Sequence, residues 1–343
     1  MTWIVGTVFI ASVIFTGLVR NHALKSAHLA YPVERSSHAV PTPIGGGLSI
    51  VLAFLGATYL LIYRQQLPLE YFLALGVGGA LVAIVSYLDD RSALPVRHRI
   101  LVHFIAAGCA LYLLGGFPPI PFGYAQLDLG WFGYAVGGLF LVWLVNLYNF
   151  MDGIDGIAGG EAMTVAASAS VIAMGVVEEP TAIQTSILLL QFVLAAASLG
   201  FLLWNWPPAK IFMGDVGSCF VGFILGVLAL LNSVVDLLPI WSWSILLALF
   251  LVDATVTLLR RFFRGERWYE SHCCHAYQHA ARRWGSHKKV TLGVILLNIF
   301  WLLPLAWMAA IFPATGFAIT LLAMAPLVIL AIWLGAGDQE AKK

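Results

Sequence analysis

The chain reads as an all-α integral membrane protein with about eleven transmembrane helices, N-out and C-in. Composition, the length of the apolar segments and the lopsided placement of basic residues each support that class. Of its 343 residues, 61% are hydrophobic and 10% charged, and the mean hydropathy is +0.91. Soluble domains carry about 25% charged residues, and so few charges could not cover a water-exposed surface of this size. That excludes a soluble enzyme and a disordered chain. The 18 basic and 17 acidic residues nearly cancel, so no net field recruits a polyanion and no nucleic-acid partner is expected.

A bilayer span takes roughly 20 apolar residues. In order, such segments fall near residues 2–19, 44–63, 71–88, 100–116, 131–149, 161–177, 184–205, 217–234, 237–259, 290–311 and 313–335, the last two also readable as a hairpin that does not fully cross. The first lacks a basic stretch before it and is followed by Arg20, which suits an uncleaved helix better than a signal peptide. Arg20, Lys25 and Arg35 follow the first segment, and Arg91, Arg97 and Arg99 lie between the third and fourth. Lys210 follows the seventh, the basic residues between 260 and 289 follow the ninth, and Lys342 and Lys343 end the chain. Threaded through eleven helices, every Lys and Arg except Arg64 falls on one side, which the positive-inside rule makes cytoplasmic. No long polar insertion or short repeat interrupts the segments, so residues 1–343 are expected to form one membrane domain. Cys109, Cys219, Cys273 and Cys274 suggest no disulfide framework.

The acids are more informative. The third segment ends in Tyr87-Leu88-Asp89-Asp90-Arg91, and the fifth runs into Asn146-Leu147-Tyr148-Asn149-Phe150-Met151-Asp152-Gly153-Ile154-Asp155-Gly156. Phe212-Met213-Gly214-Asp215-Val216-Gly217-Ser218 precedes the eighth. All three clusters are expected on the basic face. A carboxylate at a helix end is often only a cap or a solvated charge. Adjacent Asp89 and Asp90 repel without a cation or proton, however, and three unpaired clusters would be costly to bury. Hard divalent cations favour oxygen ligands, and Mg²⁺ uses one or two carboxylates plus substrate phosphates. The glycines beside these acids permit tight turns and allow amides to face an anion. Asn146, Asn149, Asp152 and Asp155 recur every third residue, which keeps neighbours on one helical stripe until glycine breaks it.

At these residues the chain resembles the polyprenyl-phosphate N-acetylhexosamine-1-phosphate transferase family. The Asn-x-x-Asn-x-x-Asp-Gly-x-Asp-Gly and Phe-Met-Gly-Asp-x-Gly-Ser runs carry the resemblance, which extends from Pro41-Thr42-Pro43-Ile44-Gly45-Gly46 to the histidines after the ninth segment. It implies a multi-helix enzyme with a cytoplasmic site in the bacterial inner membrane. The implied reaction takes UDP-HexNAc and undecaprenyl phosphate to undecaprenyl-diphosphate-HexNAc and UMP. The implied cofactor is Mg²⁺, with Mn²⁺ as an alternative, and homodimerisation is left open. By resemblance Asp89 and Asp90 match the catalytic pair that activates the lipid phosphate. Asp215 matches the metal aspartate, with Asp152 beside it. Asn149, Asp152 and Asp155 match the nucleotide-sugar pocket, and Phe212 the aromatic that stacks on uracil.

The ninth loop reads Glu270-Ser271-His272-Cys273-Cys274-His275-Ala276-Tyr277-Gln278-His279. Its His-x-x-His-Ala-Tyr-Gln form resembles the branch that initiates O-antigen and related surface glycans. His272 and His275 are spaced to share a helical face, with His279 one turn further. They are expected to bind or orient phosphate, helped by Arg264. Adjacent Cys273-Cys274 lacks the spacing of a zinc site. Ser36, Ser37, His38 and Ala39 supply no lysine just before Pro41, unlike pentapeptide transferases. Arg91, Arg97 and Arg99 either hold the lipid phosphate or set topology. Trp204 and Trp206 read as interfacial anchors, and Asp253 as a secondary site candidate.

A cation-coupled transporter is the main alternative, but its site would sit near the bilayer midplane rather than at one face. An intramembrane aspartyl protease needs glycine where Phe212 stands. An aspartate-rich prenyltransferase needs a third aspartate after Asp89-Asp90.

Overall fold

The computed structural model describes residues 2–32, 40–92, 94–267 and 272–338. Residues 36–39, Arg35, Glu270, Ser271, Lys342 and Lys343, on which some expectations rested, lie outside the described residues. The chain is nearly all helix. In order come α1 (Thr2–Lys25), α2 (Leu48–Tyr63), α3 (Leu69–Ser92), α4 (Val96–Leu114), α5 (Phe132–Met151), α6 (Ile157–Val176) and α7 (Ala182–Asn205). They are followed by α8 (Asp215–Val234), α9 (Ile240–Leu246), α10 (Ala248–Phe263), α11 (Ala276–Trp284), α12 (His287–Ile311) and α13 (Gly316–Leu334). Two small antiparallel pairs complete it: β1 (Leu29–Ala30) with β2 (Thr42–Pro43), and β3 (Ile120–Phe122) with β4 (Ala125–Leu127).

Each apolar segment read from the sequence is helical, and the class holds: this is a multi-pass integral membrane protein. Among the described residues nine helices are long and apolar enough to cross a bilayer, or ten if the bent α9–α10 pair is one span. Two segments depart from the expected eleven full spans. Helix α2 has 16 residues, about 24 Å at ~1.5 Å per residue, short of the ~30 Å hydrocarbon core. Its start is displaced because residues 40–47 are spent on a turn against the segment before α8. The segment at 237–259 is broken by a 70° bend. Leu247, at φ −86° and ψ −2°, marks the bend; α10 then follows α13, while α9 stays with α12.

Helix ends follow local chemistry. Thr181 Oγ1 accepts from the Gln184 amide at 3.2 Å, and the Gln184 side chain returns the bond at 2.9 Å, a capping box that starts α7. Pro207, two residues past the end of α7, cannot continue it. Gly115 ends α4 in the left-handed region at φ +82°.

Helix α8 is the axis of the bundle, with 94% of its apolar window buried. Gly222 lets α5 approach closely, since a Cβ there would lie 2.5 Å from the Leu144 carbonyl oxygen. The peripheral α1 and α13 instead turn Ile10, Ile14, Leu18, Ile329 and Trp333 outward, the surface a bilayer would cover. The N-terminus of the most buried helix therefore carries Asp215.

Candidate active site

Residues 41–47 lock onto the segment entering α8. The Phe212 amide donates to Pro43 O at 2.8 Å, and the Gly46 and Gly47 amides donate to Phe212 O and Met213 O, each at 2.9 Å. Gly47 and Gly217 meet backbone to backbone: a Cβ on Gly47 would stand 2.3 Å from the Gly217 Cα. Gly214, at φ +77°, then turns the chain into α8. A helix begins with unpaired amides and a positive dipole end. Here Asp90 fills that role from α3: its carboxylate accepts from the Asp215 amide at 3.1 Å and the Val216 amide at 3.2 Å. Asp89, on the neighbouring helical position, turns elsewhere. It accepts from the Leu94 amide at 2.7 Å and pairs with the Arg99 guanidinium. The adjacent acids avoid mutual repulsion by facing different partners.

Arg99 also reaches Asp215 Oδ2 at 3.4 Å, while Asn149 Nδ2 donates to Asp215 Oδ1 at 2.7 Å. Asp215 is thus the meeting point of α3, α4, α5 and α8. Asp152 follows directly, as the residue that ends α5. Burial, then the charges of Asp215, Asp90 and Asp155, push its pKa well above the usual carboxylate range. This is a carboxylate cluster in need of compensating positive charge.

Asp155 stands apart from that cluster in its bonding. The expected stripe ends at Met151, where the helix stops, and the turn through Gly153 sends Asp155 to other partners. Asp155 Oδ2 accepts from the Ala209 amide at 3.1 Å, and Oδ1 lies 3.4 Å from His287 Nδ1. Thr291 donates to its carbonyl at 2.7 Å. Asn205 adds to the same lattice, accepting from the Gly156 amide and donating to Ile211 O, both at 2.9 Å. These bonds fix the Asp152–Asp155 turn against the segment leading to Phe212, which is itself half-buried.

The histidines do not share one helical face. Helix α11 begins only at Ala276, because Asp253 accepts from the Ala276 and Tyr277 amides, each at 2.9 Å, and so fixes its first turn. His272 and His275 precede it and stack on each other with centroids 4.8 Å apart, beside Phe150. Burial, then His275 and Arg261, pull His272 down to about 3, so its imidazole is neutral at physiological pH. His275 Nδ1 lies 3.3 Å from Asp253. The Tyr277 hydroxyl donates to Phe150 O at 2.9 Å, joining this loop to the end of α5 next to Asp152.

The structure brings Asp89, Asp90, Asn149, Asp152 and Asp215 together and joins His272 and His275 to them through Phe150. It places Arg264 and His279 differently. Arg264 donates to Gly337 O at 2.7 Å and pairs with Asp338, and His279 Nε2 lies 3.2 Å from Asp338 O. Both engage the C-terminal segment rather than the aspartates. Of the three arginines between α3 and α4, Arg91 lies over the Tyr87 ring at 4.8 Å, Arg97 is exposed and Arg99 alone contacts the acids. Trp204 is less an anchor than a packing residue: its indole donates to Val13 O at 3.0 Å, between Arg20 and Lys210. Asn205 and His287 carried no sequence signal, being isolated polar residues outside any motif.

A helical membrane bundle with a carboxylate cluster at one end defines a class, and residues 72–233 match the family model described as Glycosyl transferase family 4. The chain is similar to the probable undecaprenyl-phosphate N-acetylglucosaminyl 1-phosphate transferase of Bacillus subtilis (strain 168), 28% identical over 292 residues, 83% of this chain and 78% of the relative. The undecaprenyl-phosphate alpha-N-acetylglucosaminyl 1-phosphate transferase of Yersinia pestis is 34% identical over 226 residues, 63% of this chain and 58% of the relative. The phospho-N-acetylmuramoyl-pentapeptide-transferase of Kosmotoga olearia is 28% identical over 239 residues, 66% and 71% of the two chains. The chain is thus similar to polyprenyl-phosphate N-acetylhexosamine-1-phosphate transferases and pentapeptide transferases, which form one superfamily.

Proposed function

We propose that this protein transfers HexNAc-1-phosphate from a UDP-HexNAc to undecaprenyl phosphate, releasing UMP, at the cytoplasmic face of a bacterial inner membrane. The observation that carries this reading is the convergence of Asp215, Asn149, Arg99 and Asp152 from three helices at one end of the bundle. In the reaction an oxygen of the lipid phosphate attacks the sugar-bearing phosphorus of the donor. The bond from that phosphorus to the bridging oxygen breaks, and UMP leaves with the bridging oxygen. Two anions must meet, so positive charge has to offset their repulsion.

The donor chemistry fits Mg²⁺. Asp152 and Asp215 are hard oxygen ligands crowded together, while Asp89 and Asp90 already accept from Arg99 and the α8 amides. Among the described residues no three acidic, histidine or cysteine side chains form a closed metal site. Mg²⁺ commonly takes one or two carboxylates, with water and substrate phosphates completing its shell. When bound, Mg²⁺ would be held by Asp215 and Asp152 and would neutralise charge on the transferring phosphoryl group. Arg99 supplies a second, permanent positive charge. Asn149 orients Asp215 by a bond to the oxygen opposite that of Arg99. Asp89 and Asp90 are assigned the task of positioning and activating the acceptor phosphate. Phe212 offers an aromatic face for the uracil, with Asp155 bracing the turn beside it. His272 and His275, stacked on each other beside Phe150, are assigned the task of orienting the donor's phosphates. A transporter is disfavoured by the same geometry, since Asp90, Asp152 and Asp215 all lie at helix ends.

UDP-GlcNAc is the first donor to test, because the Bacillus and Yersinia relatives bear that sugar in their names; the reading extends to initiation of O-antigen or another surface glycan. The purified protein should be given Mg²⁺, undecaprenyl phosphate and UDP-GlcNAc, UDP-GalNAc or a 6-deoxy analogue. UMP release with at least one donor is expected. Silence across the panel, with solute movement in vesicles, would favour the transporter.

A further inference from the structure

Asp253 is a buried carboxylate midway along α10, only 5% exposed. Such a group is costly unless every lone pair is used. Its bonds run almost wholly toward the histidine loop. The Ala276 and Tyr277 amides each donate at 2.9 Å, His275 Nδ1 lies at 3.3 Å, and Thr257 on its own helix donates at 3.2 Å. The two amides are orphans of the first turn of α11, so a residue of α10 caps a helix beyond the loop. His275 is held on its remaining sides too. Its backbone amide donates to Gln278 Oε1 at 3.2 Å, and its ring stacks against His272 and Tyr277.

A carboxylate only accepts hydrogen bonds. Facing Asp253, the His275 imidazole therefore carries its proton on Nδ1, and Nε2 becomes the nitrogen that can meet substrate. We propose that Asp253 is a positioning residue of the transfer reaction, acting through His275 by fixing its tautomer and ring orientation. The proposal rests on the transferase reading above and gives α10 a task beyond crossing the membrane: it carries the anchor for the histidine loop.

The test is a double-mutant cycle on the purified full-length protein with Mg²⁺, undecaprenyl phosphate and whichever UDP-HexNAc the wild type turns over. Asp253→Asn removes the charged acceptor behind the ring: with its oxygen at the Oδ1 position its NH₂ meets the Tyr277 amide, and with the amide flipped the NH₂ meets His275, Thr257 and the Ala276 amide, so in either rotamer His275 is held less firmly. It should lower kcat by roughly 10- to 100-fold, the usual scale for removing a partner that orients a functional histidine, with KM for both substrates within about twofold. In a His275→Ala background the same change should cost nothing further, because its effect passes through the missing ring. Asp253→Glu, which restores an acceptor-only group, should recover part of kcat. If the Asn variant does not fold, the Glu variant is compared in both backgrounds, and its loss should likewise vanish without His275. Equal losses with and without His275, or an unchanged kcat with a lowered melting temperature, would reduce Asp253 to a helix cap and overturn the proposal. No turnover by the folded wild type with any donor would overturn the transferase reading and this role with it.

Discussion

Gly47→Ala tests whether the site depends on the backbone contact between the start of α2 and α8. The added methyl carbon would lie 2.3 Å from the Gly217 Cα, 2.8 Å from Met213 Cγ and 2.9 Å from the Gly217 nitrogen, against 3.4–4 Å for ordinary contact. Met213 can rotate away; the Gly217 backbone cannot. The two segments must therefore separate by about 1 Å, on the scale at which displaced catalytic groups lose roughly 10²-fold in rate. The Gly47 amide is bonded to Met213 O and the Gly46 amide to Phe212 O, so the strain passes straight to the turn carrying Phe212 and Asp215. Overpacking of this kind costs about 1–3 kcal/mol. UMP release and thermal melting in detergent should both fall, and Gly217→Ala should behave alike, since its Cβ would lie 2.6 Å from the Gly47 Cα. Gly56→Ala is the control on the same helix, with nothing within 4 Å of its Cβ. Wild-type turnover and melting in Gly47→Ala would refute the claim that this contact sets the site.

Asp215→Asn should nearly abolish Mg²⁺-dependent turnover while the protein still inserts and folds; substantial activity would remove Asp215 from the metal site. Phe212→Ala should chiefly raise KM for the UDP-sugar, since it removes stacking area, and unchanged KM would contradict the uracil assignment. Asp152 has a raised pKa in the fold, so its ionisation opposes folding: stability present at low pH is lost as pH rises through that pKa. In EDTA, melting temperature should therefore fall on going from acid toward neutral pH and above, and Asp152→Asn should flatten the fall. Mg²⁺ should raise the melting temperature of the wild type at neutral pH and lose that effect in Asp152→Asn.

Much of the fold was legible because apolar length is a one-dimensional signal. Each apolar run in the sequence is a helix, and the three acidic runs do meet. The bend at Leu247 was not legible, since no proline or glycine marks it and the two halves part only because they follow different neighbours. Side-chain pairing was also hidden. Arg91, Arg97 and Arg99 are equivalent as letters, yet of the three only Arg99 reaches both Asp89, across the α3–α4 hairpin, and Asp215, at the start of α8. Asp89 and Asp90 read as one pair, but a 100° step around α3 gives them separate partners. The histidine spacing suggested a helix that Asp253 delays until Ala276. Arg264 and His279 belong to a cluster organised by Asp338, a contact across the fold that local spacing cannot encode.

The most direct measurement follows the phosphorus. The purified protein should be supplied with undecaprenyl phosphate, Mg²⁺ and the accepted UDP-HexNAc carrying ³²P on the sugar-bearing phosphate. Transfer of HexNAc-1-phosphate predicts that the label enters the lipid phase together with the sugar, one lipid product for each UMP released, and that EDTA stops both. Sugar entering the lipid while the label stays with released UDP, or turnover indifferent to EDTA, would contradict the account.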